Sequence, residues 1–236
     1  MDGNASLEAG FSLQYLKEIH LFGQTFYITT THVSMIIVSA VILILAVIVN
    51  RKMKESKPED TPGMLQNIFE LAVEALDNMV HGIMGENGKK FLNYIGTVFL
   101  FVVLANISGI FGLRPPTADY GVTLPLGLIT FVIIHYCGMK KHKMKHLTAL
   151  FEPNPILFPI NLIGEIAVPL SLSLRLFGNI LSGTVMMGLI YGLLSPPITT
   201  GIPAVLHIYF DIFSGCIQAY VFCMLTMVYV NNAISD

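Results

Sequence analysis

One arginine, Arg175, lies within a long apolar segment of this 236-residue chain. Between residues 156 and 194 the only other charged residue is Glu165. An arginine side chain stays protonated at physiological pH, and placing it at the centre of a bilayer costs from about 3 to more than 10 kcal/mol. The sequence therefore predicts that Arg175 faces a protein interior or a wet cavity and meets a negative partner there.

Small and polar residues surround Arg175 on one face of the helix that this segment predicts. At about 100° per residue, four of them fall within about 60° of it: Ser171, Gly178, Asn179 and Ser182. None of the four is acidic, and Glu165 lies about 80° round the helix and about 15 Å along its axis. We therefore expect the partner of Arg175 on another helix or another chain. The alternative is an internal salt bridge.

A second polar stripe follows in the last apolar segment, residues 203–230. In an α-helix its members lie within about 60° of Asp211: His207, Asp211, Ser214, Gly215 and Gln218. A carboxylate, an imidazole, a hydroxyl and an amide can each exchange a proton or coordinate a cation, and each would be costly against lipid. The stripe predicts a wet ion path, and the alternative is a set of hydrogen-bonded packing residues.

Composition places the chain among helical membrane proteins with several spans. It is 54% hydrophobic and 12% charged, with a mean hydropathy of +0.70. The three cysteines lack the spacing of metal ligands, and His207 and Asp211 have no third ligand, so we expect neither a metal site nor a cofactor. The sequence has no phosphate loop and no nucleophile elbow. On its own the chain is therefore not expected to be an enzyme.

The hydrophobic pattern predicts an all-α integral membrane protein: about five transmembrane helices, one amphipathic helix on the cytoplasmic surface, and a single membrane domain. The predicted parts are an outer segment (1–32), a transmembrane helix (33–50), an interfacial helix (62–84), transmembrane helices (91–111 and 122–138), a long tilted helix (156–194) and a last helix (203–230). The long helix would measure about 58 Å, roughly twice the hydrocarbon thickness. It must therefore break near Pro169 or tilt steeply, and with the last helix it forms a membrane hairpin.

The basic residues predict the orientation of these spans. Ten of the thirteen lie on segments assigned to the inside, whereas Lys17 and Arg114 lie outside. Because cytoplasmic loops collect Lys and Arg, the N-terminus is predicted outside and the C-terminus in the cytoplasm. The basic run at residues 140–146 is a short loop between spans, which requires no nucleic acid to explain it.

Three segments of the chain resemble the signature of one protein family, subunit a of F-type ATP synthases. They are residues 171–179 (SLSLRLFGN), 217–229 (IQAYVFCMLTMVY) and 116–124 (PTADYGVTL). The resemblance covers nearly the whole chain. It implies a place in a bacterial plasma membrane, with a ring of c subunits, the b-subunit peripheral stalk and the rest of the ATP synthase as partners.

The resemblance also implies a function for the polar residues. Subunit a is the stator half of an ion channel, with two offset aqueous half-channels that meet the c ring. Arg175 matches the essential arginine, and Asn179 and Gln218 match two further residues of the family. Arg175 would neutralise each empty ring carboxylate that crosses the stator and prevent a short circuit. Asp119 is a candidate for ion entry at the outer mouth, and H⁺ and Na⁺ both remain open as the ion.

One position departs from the family pattern. Many members have a glutamate nine residues after the arginine, where this chain has Thr184. We hypothesise that Asp211 supplies the channel acid instead. Two other functions remain as alternatives: a secondary transporter, which would predict inverted repeats that the sequence does not convincingly show, and a structural anchor with incidental polar residues.

Overall fold

The computed structural model describes residues 15–21, 24–55, 63–144, 148–151, 154–193 and 202–235. The first described element is a β-hairpin in which β1 (Tyr15–Leu21) pairs antiparallel with β2 (Gln24–Thr29). The sequence predicted only an outer segment here. The hairpin is an addition to the predicted all-α fold, and it leads directly into the first helix.

Helices make up the rest of the fold. They are α1 (Thr30–Glu55), α2 (Met64–Met84), α3 (Leu92–Ile107), α4 (Tyr120–His142), α5 (Phe158–Leu193), and a last helix from Ile202 to Ile234. Within the described ranges, five segments are long and apolar enough to cross a membrane. The prediction of an all-α membrane protein with about five spans is therefore confirmed.

Helix α5 runs unbroken through Pro169 for 36 residues, or about 54 Å. The predicted alternative of a break near Pro169 is wrong. A proline removes one helical hydrogen bond, but a membrane helix tolerates this where a neighbouring helix covers the position. Here Pro169 is buried, and α4 approaches so closely that a Cβ added to Gly127 would lie 2.6 Å from the Pro169 carbonyl oxygen.

The last helix is not α-helical throughout. It comprises α6 (Ile202–His207), a π-helical segment (Ile208–Ser214) and α7 (Gly215–Ile234). The angles used above for the stripe around Asp211 assumed a regular α-helix, and that assumption is wrong for residues 208–214. A π-helix forms i→i+5 hydrogen bonds, so its wider turn changes where Asp211 and Ser214 point relative to α7.

The core lies between α2, α3, α4, α5 and α7. Its most buried members are apolar side chains that are at most 2% exposed: Val80, Ile95, Val102, Leu172, Leu176, Ala219, Phe222, Cys223, Met227 and Val230. Helix α1 lies at the margin, with Val38 buried and Ile36 and Leu43 each 66% exposed. The exposed apolar surface of α1 therefore suits lipid or a partner subunit.

The two ends of the bundle differ in charge. At one, which we call the basic end, Lys141 donates to the carbonyl of Ile234 and His142 lies 3.2 Å from that of Ser235. These contacts place the end of the last helix beside the basic end of α4. At the opposite end, which we call the Asp119 end, the Asp119 carboxylate accepts a hydrogen bond from the Gly121 amide and caps α4.

Candidate functional site

Arg175 lies on the exposed side of α5, between the buried side chains of Leu172 and Leu176. Among the residues that the structure describes, it makes neither a salt bridge nor a hydrogen bond. The alternative of an internal salt bridge therefore finds no acidic partner for Arg175 in that part of the chain. The guanidinium is presented outward, away from the core of its own subunit.

Small residues border Arg175, and exposed leucines flank them on α5. Leu170 and Leu174 are 41% and 53% exposed. A Cβ added to Gly178 would meet nothing within 4 Å, and Ser171 is exposed. The small side chains leave room for a second helix to approach the guanidinium.

Asn179 and Ser214 join α5 to the last helix. The Ser214 hydroxyl donates to Asn179 Oδ1 at 2.9 Å, so these two predicted site residues are brought together. Within the described residues, the buried amide nitrogens of Asn179 and Gln218 have no hydrogen-bond partner. Buried donors of this kind bind water or an anion when one is present. The amides therefore supply two donors beside the contact between α5 and the last helix.

His207 and Asp211 contact each other in the last helix, with His207 Nδ1 2.8 Å from Asp211 Oδ2. The Asp211 carboxylate faces Gly109 after α3, where an added Cβ would lie 3.7 Å from Oδ2. Asp211 thus points towards the residues after α3, whereas Ser214 points towards α5. The π-helical turn divides the predicted stripe between two neighbours.

Asn106, which was not among the predicted site residues, fixes the start of α7. It is fully buried, donates to the Gly215 carbonyl at 2.9 Å and accepts from the Thr117 hydroxyl at 2.6 Å. A Cβ added to Gly215 would lie 2.8 Å from Asn106 Cβ. Asn106 therefore holds the last helix at the point where π-helix changes to α-helix.

Three other side chains from the sequence analysis make local hydrogen bonds. Ser182 donates to the Asn179 carbonyl and Thr184 to the Leu181 carbonyl, each at 2.9 Å, and both residues are exposed. Asp119 caps α4, as described above. The structure does not bring these three side chains into contact with Asp211 or Arg175 within the described ranges.

Glu165 has a partner that sequence reasoning missed. His135 on α4 places Nε2 3.8 Å from Glu165 Oε2. A lone histidine in an apolar span carries no pairing information by itself. No signal within α4 could have found the pair, because His135 lies eight residues, or about 80° of helical rotation, from the Gly127 contact.

These features define a class of protein. A chain with several membrane spans, an exposed cation within a long apolar helix and ionisable groups on neighbouring membrane helices has the features of an ion-translocating membrane protein. Residues 32–231 match the family model described as ATP synthase A chain.

Relatives described as ATP synthase subunit a match most of the chain. It is 38% identical over 221 residues to the sodium ion specific ATP synthase subunit a of Propionigenium modestum, covering 86% of this chain and 75% of that protein. Identity is 33% over 200 residues to ATP synthase subunit a of Geobacter sulfurreducens, covering 83% of each chain. Identity to ATP synthase subunit a 2 of Syntrophotalea carbinolica is 32% over 237 residues, covering 98% and 94%. The chain therefore belongs to the ATP synthase A chain family, the ion-translocating subunits a of the membrane sector of bacterial ATP synthases.

Proposed function

We propose that this chain is the stator half of the ion channel, with two half-channels that deliver H⁺ or Na⁺ to and from carboxylates on a rotating c ring. Arg175 pairs with each carboxylate that arrives empty and repels a bound cation, so that the two half-channels never connect directly. A permanent cation favours the ionised form of a nearby acid, and this drives release of the ion.

The observation that supports this proposal best is the position of Arg175. Arg175 is exposed within a long apolar helix, and the described part of the chain gives it no acid. Facing lipid, such a charge would be costly. An acid from a neighbouring subunit removes that cost, and the open space at Gly178 allows its helix to approach. A ring of c subunits would supply such acids in succession.

One half-channel runs from the Asp119 end to Arg175. Its ionisable groups are His207 and Asp211 beside Gly109, and its polar groups continue through Ser214 to Asn179, four residues from Arg175. The buried amide of Gln218 adds a donor beside it. The second half-channel runs from Arg175 towards the basic end, where Glu165 is the acid.

The orientation and remaining partners follow from the same proposal. The basic end faces the cytoplasm of a bacterial cell, because Lys and Arg collect on that side. The C-terminus is then cytoplasmic and the N-terminal hairpin outside. The b-subunit peripheral stalk is the expected partner for the exposed apolar surface of α1 or for α2, where Glu70 and Glu74 are exposed.

Substitution of Arg175 by alanine tests the proposal. We expect ATP synthesis driven by an ion gradient to fall more than about 100-fold in a normally assembled complex, because removing one preorganised charge or donor from a site has an effect of this size. Leu174→Ala is the matched control, since Leu174 is the exposed neighbour of Arg175 in α5 but has no charge. If Arg175→Ala removed the subunit from the membrane complex, the structural-anchor alternative would be favoured.

The ion itself requires a separate measurement. One relative is described as sodium ion specific, and the half-channel groups described above suit either cation. ATPase activity of the assembled complex, titrated with Na⁺ at several pH values, decides between them. Stimulation by Na⁺ identifies Na⁺ as the carried ion, whereas activity independent of Na⁺ identifies the proton.

A further inference from the structure

Helices α4 and α5 pack antiparallel, and their packing brings His135 to Glu165. The Tyr120 and Phe177 rings meet edge to face, with centroids 5.7 Å apart, near the Asp119 end. Gly127 lies against Pro169 further along. His135 and Glu165 then meet nearer the basic end. The pair therefore lies along the same contact between these helices, and it lies on the opposite side of Arg175 from Asp211.

The hydrogen bond of His135 determines which nitrogen faces the acid. His135 Nδ1 lies 3.1 Å from the Phe131 carbonyl oxygen. A carbonyl can only accept, so Nδ1 must carry the hydrogen. In a neutral imidazole the other nitrogen, Nε2, then presents a lone pair, and this is the atom 3.8 Å from Glu165 Oε2. A lone pair and a carboxylate repel each other unless a cation lies between them or on one of them.

The surroundings make a single bound cation favourable. Glu165 is the only carboxylate in α3, α4, α5 and α7, and its exposed neighbours Ile163 and Ile166 are apolar. The nearest fixed cations on the two paired helices are Lys140, five residues after His135, and Arg175, ten residues after Glu165. One added cation makes the pair neutral, which an apolar environment favours.

We propose that His135 and Glu165 form an exchange site for one monovalent cation, the last ionisable site on the ion path between Arg175 and the basic end. This inference rests on the proposed function and adds His135 to its path. A nitrogen lone pair beside a carboxylate suits a proton, because alkali and other hard cations prefer oxygen ligands. The side chains are 21% and 38% exposed, so the pair lies at the edge of the packed bundle, where water can reach it.

The test uses inverted membrane vesicles that contain the whole ATP synthase, with His135→Gln compared with the natural sequence. Glutamine keeps a polar side chain of similar length but cannot hold an added proton. We expect ATP-driven acidification, followed by dye quenching, to fall at least about tenfold, as loss of a proton-transfer group does. The dependence of acidification on pH should change as well, because the variant lacks a group that can bind a proton.

His142→Gln is the matched control, because His142 lies two turns further along the same helix and contacts only a backbone carbonyl among the contacts described above. It should leave both the rate and the pH profile unchanged. A second arm measures uptake of radioactive Na⁺ against Na⁺ concentration. If His135→Gln weakened the apparent Na⁺ affinity and left the proton profile intact, the cation at the site would be Na⁺ and not a proton.

A reciprocal double variant covers the case in which His135→Gln fails to assemble. His135→Glu combined with Glu165→His keeps one imidazole and one carboxylate between the same helices, so it should restore assembly and at least part of the ion uptake. An assembled double variant without uptake would overturn the proposal. So would a His135→Gln complex with unchanged uptake and pH profile, provided that Arg175→Ala still abolished ATP synthesis, in which case the proposed function would stand without this site.

Discussion

Two histidine–carboxylate pairs lie on either side of Arg175, and they differ in geometry. In the pair nearer the Asp119 end, which we call the outer pair, His207 and Asp211 belong to one helix and approach to 2.8 Å. In the pair nearer the basic end, which we call the inner pair, His135 and Glu165 belong to different helices and lie 3.8 Å apart. His207 faces its acid with Nδ1, which can donate a hydrogen bond to the ionised carboxylate. His135 instead uses Nδ1 to donate a hydrogen bond to the Phe131 carbonyl oxygen.

The difference separates two kinds of site. The outer pair needs no added cation, because a neutral imidazole can donate a hydrogen bond from Nδ1 to the ionised carboxylate. It can therefore stand ionised and ready to accept an ion. In the inner pair, the Nε2 lone pair of a neutral imidazole and the carboxylate repel each other, so this pair is stable only when one cation is bound. A pair that is stable when empty suits ion entry, and a pair that is stable when occupied suits retention before release.

The largest effect among the predictions that test this comparison is expected at the outer acid. Asp211→Asn removes the only carboxylate of the last helix within the described residues, and ATP-driven ion uptake by vesicles should fall about 100-fold or more. His207→Gln should cost less, because the carboxylate remains. If Asp211→Asn left ATP synthesis intact while Glu165→Gln or Asp119→Asn abolished it, the channel acid would lie elsewhere.

The second prediction concerns the packing that positions the inner pair. Gly127→Ala places a methyl group 2.6 Å from the Pro169 carbonyl, so α4 and α5 must separate. Such overpacking costs about 1–3 kcal/mol, and thermal denaturation of the purified complex should occur at a lower temperature. Gly82→Ala is the control, since a Cβ there meets nothing within 4 Å. Equal stability of the two variants would show that this contact is not tight.

A smaller effect is expected where the outer path reaches α5. Ser214→Ala removes the 2.9 Å hydrogen bond to Asn179 Oδ1, a contact typically worth about 1 kcal/mol. Ion uptake should fall a few-fold, and Ser214→Thr, which retains a hydroxyl, should recover most of it. Identical rates for the alanine and threonine variants would mean that the bond does not position Asn179.

The smallest effect is expected at an exposed salt bridge whose contact distance is close to that of the outer pair. Lys89 and Glu86 lie 2.9 Å apart on the turn before α3, and the hydrogen bond from Lys89 lowers the pKa of Glu86. A lowered carboxyl pKa stabilises the fold above the unfolded pKa, and that stabilisation is lost as pH falls through the folded one. Because both groups are exposed, solvent screens the pair. Glu86→Gln should leave the denaturation temperature unchanged from neutral to acidic pH, and a clear decrease at neutral pH would contradict this.

The contrast between the pairs also shows what the sequence could predict. The outer pair has a spacing of four residues in one helix, which places both side chains on one face whether or not the helix is regular. The apolar runs likewise predicted five spans, because length and hydropathy determine whether a helix can cross a bilayer. The cap formed by Asp119 also depends on local sequence alone, because its carboxylate binds the amide of Gly121, two residues later.

The inner pair and the irregular helix depend on tertiary contacts. His135 meets Glu165 across the contact between α4 and α5, in which Gly127 lies against Pro169, and no periodicity within one helix contains that information. The π-helical segment Ile208–Ser214 ends where Asn106, from α3, binds the Gly215 carbonyl. Single-helix geometry therefore grouped Asp211 with Ser214, whereas the structure directs them to different neighbours.

Passive ion flux through a stationary complex tests whether Arg175 separates the two half-channels. Vesicles containing the complex are given an ion gradient while the ATPase is inhibited, so that the rotor stands still. The natural sequence should be tight, and Leu174→Ala equally so, whereas Arg175→Ala should leak ions through a connected path. An assembled Arg175→Ala complex that stays as tight as the natural one would contradict the account.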